Sequence, residues 1–104
     1  KGEDSVRITV IQYNNIYIPT GFTPNDDGKN DILKPFYHGQ IILKEFSIYN
    51  RWGQQVFSTS HRNAGWNGKV KGMLQQAGVY VWFIKAIGKS GETIERKGTF
   101  VLIR

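Results

Sequence analysis

The sequence predicts an all-β domain, and an immunoglobulin-like β-sandwich of about seven antiparallel strands fits it best, with a small barrel as the alternative. Apolar residues recur at every second position or in short runs, and no segment has the spacing of an amphipathic helix. Clusters of Gly, Asn, Asp and Ser separate these segments, as turns do in β domains. The 104 residues can form a single domain with its own core, because a domain of this size buries roughly two-thirds of its unfolded surface.

The first half of the chain predicts short strands followed by one longer strand. Residues 6–10 alternate apolar and polar side chains, which predicts the first strand. Residues 16–18 predict a second extended segment. Pro19 and Pro24 keep the residues between them out of a central strand, since proline cannot donate to a strand ladder. Residues 41–49 predict the longer strand.

The middle of the chain predicts a hairpin and then an irregular segment. Residues 50–53 predict a tight turn, and residues 55–58 predict the strand that returns from it. Residues 59–78 are rich in Gly, Asn, Ser and Lys and are expected to be irregular. Within them, Asn67 and Gly68 favour a turn because both residue types tolerate positive φ.

Two long strands are predicted for the last part of the chain. Residues 79–87 are apolar at both parities, so we expect a central strand covered on both sides. Lys85 indicates that the odd-numbered face of this strand reaches solvent at that end. Residues 88–91 predict a turn, and residues 93–103 predict the last strand.

The charge of the chain is positive and unevenly distributed. The formal net charge is +6, with five basic and six acidic residues in residues 1–50 but nine basic and two acidic residues in residues 51–104. A basic half suits an acidic partner such as nucleic acid, anionic lipid or an acidic protein surface. No run of basic residues is longer than two, and no nucleic-acid-binding motif accompanies them. We therefore favour solvated strand faces and expect no nucleic-acid partner.

The residue types that catalysis requires are not arranged in a recognisable site. The chain has no cysteine, which excludes disulfides, thiolate zinc sites and thiol catalysis. His38 and His61 stand outside any metal-ligand spacing, and no serine lies in a nucleophile-elbow motif. We expect a protein that is not an enzyme and that requires no cofactor.

One acidic turn is the candidate metal site. Calcium takes six to eight oxygen ligands, and Gly28 supplies the bend of an N-x-D-G-x-x-D spacing. The residues that could ligate a calcium ion here are Asn25, Asp26, Asp27 and Asp31. The turn is not an EF-hand, because Lys34 occupies the position of the bidentate Glu. Asn, Asp and Gly also form such turns without an ion, so both interpretations stay open.

The three tryptophans allow a second kind of binding site. Trp52 and Trp66 lie beside predicted turns, where their rings could stack on sugar rings or fold back onto the core. Trp82 lies inside the strongest strand and is expected in the core. An extracellular carbohydrate-binding or adhesive immunoglobulin-like module is therefore the alternative function.

Five blocks in order resemble the type B C-terminal sorting domain of the type IX secretion system, also called the gliding-motility-associated C-terminal domain. They are IPTGFTPNDDGKND (18–31), FSIYNRWGQ (46–54), WNG (66–68), GVYVW (78–82) and KGTFVLIR (97–104). Asp26 stands where this family usually has Gly, and Asn67 stands where Asp is common. The resemblance covers about residues 16–104, which leaves residues 1–15 for the first strand and the boundary to an upstream cargo.

The resemblance implies a function and a set of partners. Such domains fold as β-sandwiches in the periplasm of Bacteroidota and direct their cargo through the type IX outer-membrane translocon, often with a PorP-like outer-membrane protein. The cargo then stays on the cell surface or is released. We expect this chain to be such a signal at the end of a longer exported protein, ending at Arg104, and to be monomeric when isolated.

The resemblance also selects the candidate recognition residues. They are Arg51, Trp52, Gly53, Trp66, Lys97, Gly98 and Arg104. The two turns would present a fixed surface if their tryptophans pack back onto the sandwich, and the last strand has an edge that could be read by strand addition. For Lys97 and Gly98 the alternative is an edge lysine beside a bulge.

Overall fold

The computed structural model describes residues 16–24 and 31–104, and this part of the chain is all-β, as the sequence predicts. None of these residues forms a helix long and apolar enough to cross a membrane. The described strands are β1 (Ile16–Tyr17), β2 (Gly21–Phe22), β3 (Phe36–Tyr37), β4 (Ile42–Tyr49), β5 (Gln55–Thr59), β6 (Lys69–Val70), β7 (Met73–Leu74), β8 (Gly78–Ile87) and β9 (Thr93–Leu102).

Five of these strands form the main sheet, in the order β2-β9-β8-β4-β5. Strands β8 and β9 pair antiparallel over their whole length, from Thr93 opposite Ile87 to Leu102 opposite Gly78. Strand β8 lies between β9 and β4, so the prediction that it is central is confirmed. The smaller pairs are β1 with β3 and β6 with β7.

Strand β2 departs from the predicted antiparallel pattern. It runs parallel to β9, with Gly21 opposite Val101 and Phe22 opposite Leu102. The two prolines that bracket it limit it to two residues at the edge of the sheet in the described part of the chain. The effect of Pro19 and Pro24 is therefore as predicted, but the direction of the strand is not.

The core lies against one face of the main sheet. From β8 it receives the even-numbered residues Tyr80, Ile84 and Ala86, and short segments from the other layer supply Ile18 and Leu33. This two-layer arrangement is that of an uneven sandwich, in which one layer is a full sheet and the other consists of short strands and turns.

The odd-numbered face of β8 is less covered than the sequence predicts. Val79 is 52% exposed, and Lys85 reaches solvent as expected. Val81 and Phe83 are only half-buried. The apolar residues of this face therefore do not mark a second core, and the expectation of a strand covered on both sides is wrong for its outer face.

The strand count also differs, with nine strands in residues 16–24 and 31–104 where about seven were expected. Residues 59–78, expected to be irregular, contain the β6–β7 hairpin. Its turn residues Lys71 and Gly72 have φ of 52° and 81°, the two positive values that a type I′ turn requires. A lysine gives no sequence signal for that conformation. The strand predicted at residues 6–10 lies outside the described residues.

Candidate recognition surface

The turn that joins β4 to β5 is built around the side chain of Asn50. Its Oδ1 accepts hydrogen bonds from the backbone N–H groups of Trp52 and Gln54, each at 2.9 Å. Its Nδ2 donates to Gln54 Oε1 at 2.8 Å. Gly53 closes the turn with φ of 83°, a conformation that other residues adopt only with strain. These bonds fix the backbone that carries the two side chains at the tip of the turn.

Those two side chains, Arg51 and Trp52, point away from the core. Trp52 is 68% exposed, and the guanidinium carbon of Arg51 lies 4.9 Å from the centre of the Trp52 ring. A cation above an aromatic face is held there electrostatically. The Arg51 guanidinium makes no hydrogen bond to any residue in the described part of the chain. Its donors are free for a partner.

Gly78, at the start of β8, lies close to the side chain of Arg51. A Cβ atom placed on Gly78 would lie 3.8 Å from Arg51 Nη2, and the φ of 139° at Gly78 disfavours any other residue. The guanidinium therefore passes close to the backbone at the end of the main sheet. This glycine is the first residue of the GVYVW block.

A groove of about 260 Å³ runs beside this turn. Trp52 and Leu74 form apolar walls, Leu74 being 61% exposed, and Gln76 and Tyr80 also line it. The Tyr80 hydroxyl donates to the Gln76 carbonyl at 2.6 Å. None of the residues that line the groove carries a carboxylate.

The hydroxyl of Tyr80 reports the electrostatics of this end of the domain. Burial raises the pKa of Tyr80, while the positive charges of Arg104 and Arg51 act in the opposite direction. Both arginines are thus close enough to Tyr80 to favour a negative charge there. This end of the sheet is electropositive.

The second arginine, Arg104, is hydrogen-bonded to two segments of the backbone. Its Nε and Nη2 donate to the Gln75 carbonyl at 3.1 and 2.7 Å, and Nη2 also donates to the Gly68 carbonyl at 3.3 Å. It therefore ties the turn at Gly68 to the segment between β7 and β8. Its Nε and Nη2 groups are occupied, in contrast to those of Arg51.

Trp66 is a core residue, which corrects its expected place in the recognition surface. Its side chain is 1% exposed, so its ring is not available as a sugar platform. Its Nε1 donates to the Lys69 carbonyl at 2.9 Å, and its backbone pairs with that of Leu33. The sequence left open whether this ring folds back, and burial of a large aromatic against the sheet decides it.

Lys97 and Gly98 lie apart from the arginines. Lys97 is exposed on β9, five residues before Leu102, which is about 17 Å along a strand. Gly98 faces Trp82, and an added Cβ would lie 2.8 Å from Trp82 Cζ2. The β8–β9 register runs through Gly98 without a shift, so the bulge considered for this position is wrong. Gly98 provides space for a partly buried Trp82 that packs against the core.

The candidate calcium ligands Asn25, Asp26 and Asp27 lie outside the described residues, and Asp31 is half-buried. In residues 16–24 and 31–104, no three His, Cys, Asp or Glu side chains are grouped to hold a metal ion. Calcium binding at this turn stays a prediction.

The sequence predicted the exposed residues Arg51 and Trp52 but not the residues that pack around them. The family blocks contain Asn50, Gly78 and Tyr80, but their spacing does not show that the three residues meet. Gln75 and Gln76 follow the β6–β7 hairpin in a segment without any signal. Only the fold places them beside Arg104 and Tyr80.

Four of the five sequence blocks contribute one ring each to a single aromatic cluster. Its pairs are Phe22–Trp66 at 5.9 Å, Phe22–Phe100 at 5.7 Å, Trp66–Tyr80 at 5.1 Å, Trp66–Phe100 at 6.3 Å and Tyr80–Phe100 at 5.6 Å. Such separations are those of favourable aromatic pairs. These four blocks are therefore linked physically, because each supplies one ring to the same part of the core, beneath Arg51 and Arg104.

Together the fold and the surface define an all-β domain whose free arginine and exposed tryptophan are displayed on a fixed turn. Residues 16–103 match the family described as the CHU_C type IX secretion signal domain. The chain belongs to this family. It is a sorting signal that sends an attached cargo through the type IX system, and it is exported to the cell surface or the extracellular space.

Comparison with solved structures supports the fold alone. The crystal structure of CopC from Methylosinus trichosporium OB3b matches with a TM-score of 0.50 and 16% identity, over 69% of this chain and 74% of that one. No curated protein matches the chain.

Proposed function

We propose that this chain is a non-catalytic sorting signal that is recognised in its folded form, through the turn at residues 50–54 and the groove beside it. The type IX translocon reads this surface together with a PorP-like outer-membrane protein, and the isolated domain is a monomer. Membership of a secretion-signal family, rather than an enzyme family, supports the absence of catalysis.

The observation that carries the proposal is the contrast between a fixed backbone and free side chains at this turn. Asn50 and Gly53 hold the backbone through hydrogen bonds and a positive φ. The side chains of Arg51 and Trp52 are nevertheless exposed, and no hydrogen bond to a described residue holds the Arg51 guanidinium. Exposed Arg and Trp side chains on a rigid support are typical of interaction hot spots.

The test is export of a fluorescent reporter fused to residues 1–104 and equipped with a periplasmic export signal, in a bacterium that has the translocon. We expect the wild-type domain to bring the reporter to the surface or the medium. The double variant Arg51→Ala/Trp52→Ala should leave it in the periplasm.

The matched control is Ile42→Ala/Lys89→Ala, which removes one exposed apolar residue and one exposed cation from the opposite end of the sheet. It should be exported like the wild type. Circular dichroism of the purified domains checks that both variants fold, and light scattering checks that they are monomers. Normal export of the Arg51→Ala/Trp52→Ala variant would contradict the proposed surface.

A further inference from the structure

The glutamates are unevenly distributed along the main sheet. The three glutamates in the described part of the chain lie at the end of the sheet away from Arg51: Glu45 and Glu95 are both opposite Lys85 on β8, and Glu92 is in the turn that follows β8. Strand β8 has ten residues, so its two ends are about 30 Å apart. The glutamate end also carries Lys85 and Lys89, so its charge is mixed, whereas no carboxylate lines the groove beside Arg51. An acidic partner therefore meets positive charge without a competing carboxylate at the groove.

Arg51, whose guanidinium stacks on the Trp52 ring at the edge of the groove, offers one site for an anion rather than a diffuse positive patch. The Nε and Nη2 groups of Arg104 already donate to the Gln75 and Gly68 carbonyls. Arg51 keeps its planar fork free and stacked on Trp52. A fork of this kind matches the two oxygens of a carboxylate, which it binds through two parallel hydrogen bonds.

The rest of the groove suits a polypeptide. Trp52 and Leu74 are 68% and 61% exposed and supply apolar contact area on either side. The side-chain amide of Gln76 has no hydrogen-bond partner among the described residues, and it offers one donor group and one acceptor to a peptide backbone. A lipid headgroup surface selects clusters of cations instead, and a single free guanidinium stacked on Trp52 is not such a cluster.

From these features we infer that Arg51 pairs with an Asp or Glu side chain on an extended segment of the outer-membrane partner, which lies in the groove between Trp52 and Leu74. This inference rests on the proposed function and adds the chemistry of the partner to it. The carboxylate is bound by the guanidinium fork, an apolar neighbour contacts the two walls, and the Gln76 amide bonds the backbone of the segment.

The experiment measures binding of the full chain to the purified PorP-like outer-membrane protein of the export host, held in detergent micelles. Arg51→Lys keeps the charge but loses the fork, so it should weaken binding about tenfold. Arg51→Glu should abolish binding. Lys89→Glu, which makes the same charge reversal at the opposite end of the sheet, should bind like the wild type.

Three results would overturn the inference. The first is wild-type affinity of both Arg51→Lys and Arg51→Glu, and the second is no binding of the wild-type chain to the micellar protein. The third is binding of the wild-type chain to phosphatidylglycerol vesicles that Arg51→Glu loses while it still binds the protein, because that would assign the arginine to a lipid phosphate. In each case export of the reporter by the wild-type domain shows separately whether the proposed function stands.

Discussion

Two turns of this domain have nearly the same local chemistry, but one exposes its tryptophan and the other buries it. In one, Asn50 accepts a hydrogen bond from the backbone of Trp52, and Gly53 has φ of 83°. In the other, Asn67 accepts a hydrogen bond from the backbone of Lys69 at 3.0 Å, and Gly68 has φ of 82°. Each turn carries a tryptophan, yet Trp52 is 68% exposed and Trp66 is 1% exposed.

The difference comes from where each turn is attached to the sheet. The turn at residues 50–54 joins two neighbouring strands of the main sheet and projects beyond its end. The turn at residues 66–68 lies in the second layer, where the backbone of Trp66 pairs directly with that of Leu33 and both side chains are buried in the core. The turn chemistry fixes the backbone in both cases, and only the attachment decides whether the tryptophan is displayed or buried.

Tyr80 connects the two turns. Its ring centre lies 5.1 Å from that of Trp66 in the core, and its side chain also lines the groove beside Trp52. The buried turn therefore supports the floor of the surface that the exposed turn displays. Disruption of the first should unfold the domain, whereas disruption of the second should leave a folded domain that is not recognised.

The largest expected effect is that of Trp66→Ala. Loss of a fully buried aromatic side chain and its packing should lower the free energy of unfolding by about 3–5 kcal/mol. Trp52→Ala should change it by less than about 0.5 kcal/mol, because an exposed side chain loses little burial. Urea unfolding followed by circular dichroism measures both. Similar losses in the two variants would break the comparison between the turns.

The third tryptophan, Trp82, packs against Gly98, and the variant Gly98→Ala tests whether this glycine makes space for the indole. The new Cβ would lie 2.8 Å from Trp82 Cζ2, so the indole must move. We expect a loss of about 1–3 kcal/mol in the free energy of unfolding, as for overpacking in cores. Gly98→Ala/Trp82→Leu should recover part of this loss, because the indole no longer occupies the space. Unchanged stability of Gly98→Ala would show that the glycine does not serve packing.

The two turn glycines form a matched pair with a smaller effect. Gly53→Ala meets no atom within 4 Å and costs only the positive φ, about 1 kcal/mol. Gly68→Ala carries the same φ cost and also brings a Cβ to 3.0 Å from Pro24 Cγ, so it should lose more. Thermal unfolding of the two variants gives the order. A larger loss for Gly53→Ala would contradict the assignment of the buried turn as the structural one.

The smallest effects concern the tyrosine hydroxyls. Tyr80→Phe removes the bond to the Gln76 carbonyl and should cost about 1 kcal/mol. Tyr37→Phe should cost nothing or stabilise slightly at neutral pH, because the Tyr37 hydroxyl is buried and has no hydrogen-bond partner in residues 16–24 and 31–104. Urea midpoints at pH 7 compare the two. A loss in Tyr37→Phe equal to that in Tyr80→Phe would contradict this assignment.

The same pair of variants predicts a dependence on alkaline pH. Burial raises the pKa of Tyr37 from 10.0 to about 12, with Arg62 acting in the opposite direction. The folded state thus holds this proton more tightly than the unfolded state, so stability is complete below pH 10 and falls as pH rises towards about 12. Urea midpoints measured across this range should fall less steeply for Tyr37→Phe than for the wild type. Identical slopes would contradict the burial of this hydroxyl.

The sequence by itself determined the all-β class, the long strands and the turn at residues 50–53, because alternation and turn chemistry are local properties. It also determined the family through five ordered blocks. It did not determine the parallel direction of β2 or the β6–β7 hairpin. Strand direction depends on which distant strand is available to pair, and Lys71 adopts a positive φ without any local signal.

The tertiary structure alone decided which of the predicted recognition residues belong together. It keeps Arg51 and Trp52 on one exposed turn and places Trp66 in the core. It leaves Lys97 on β9, about 17 Å along the strand from Leu102. Burial and proximity depend on packing between segments that are far apart in the chain. The sequence could therefore name the tryptophans of both turns, but only the packing of the two layers could separate the one that holds the domain from the one that is displayed.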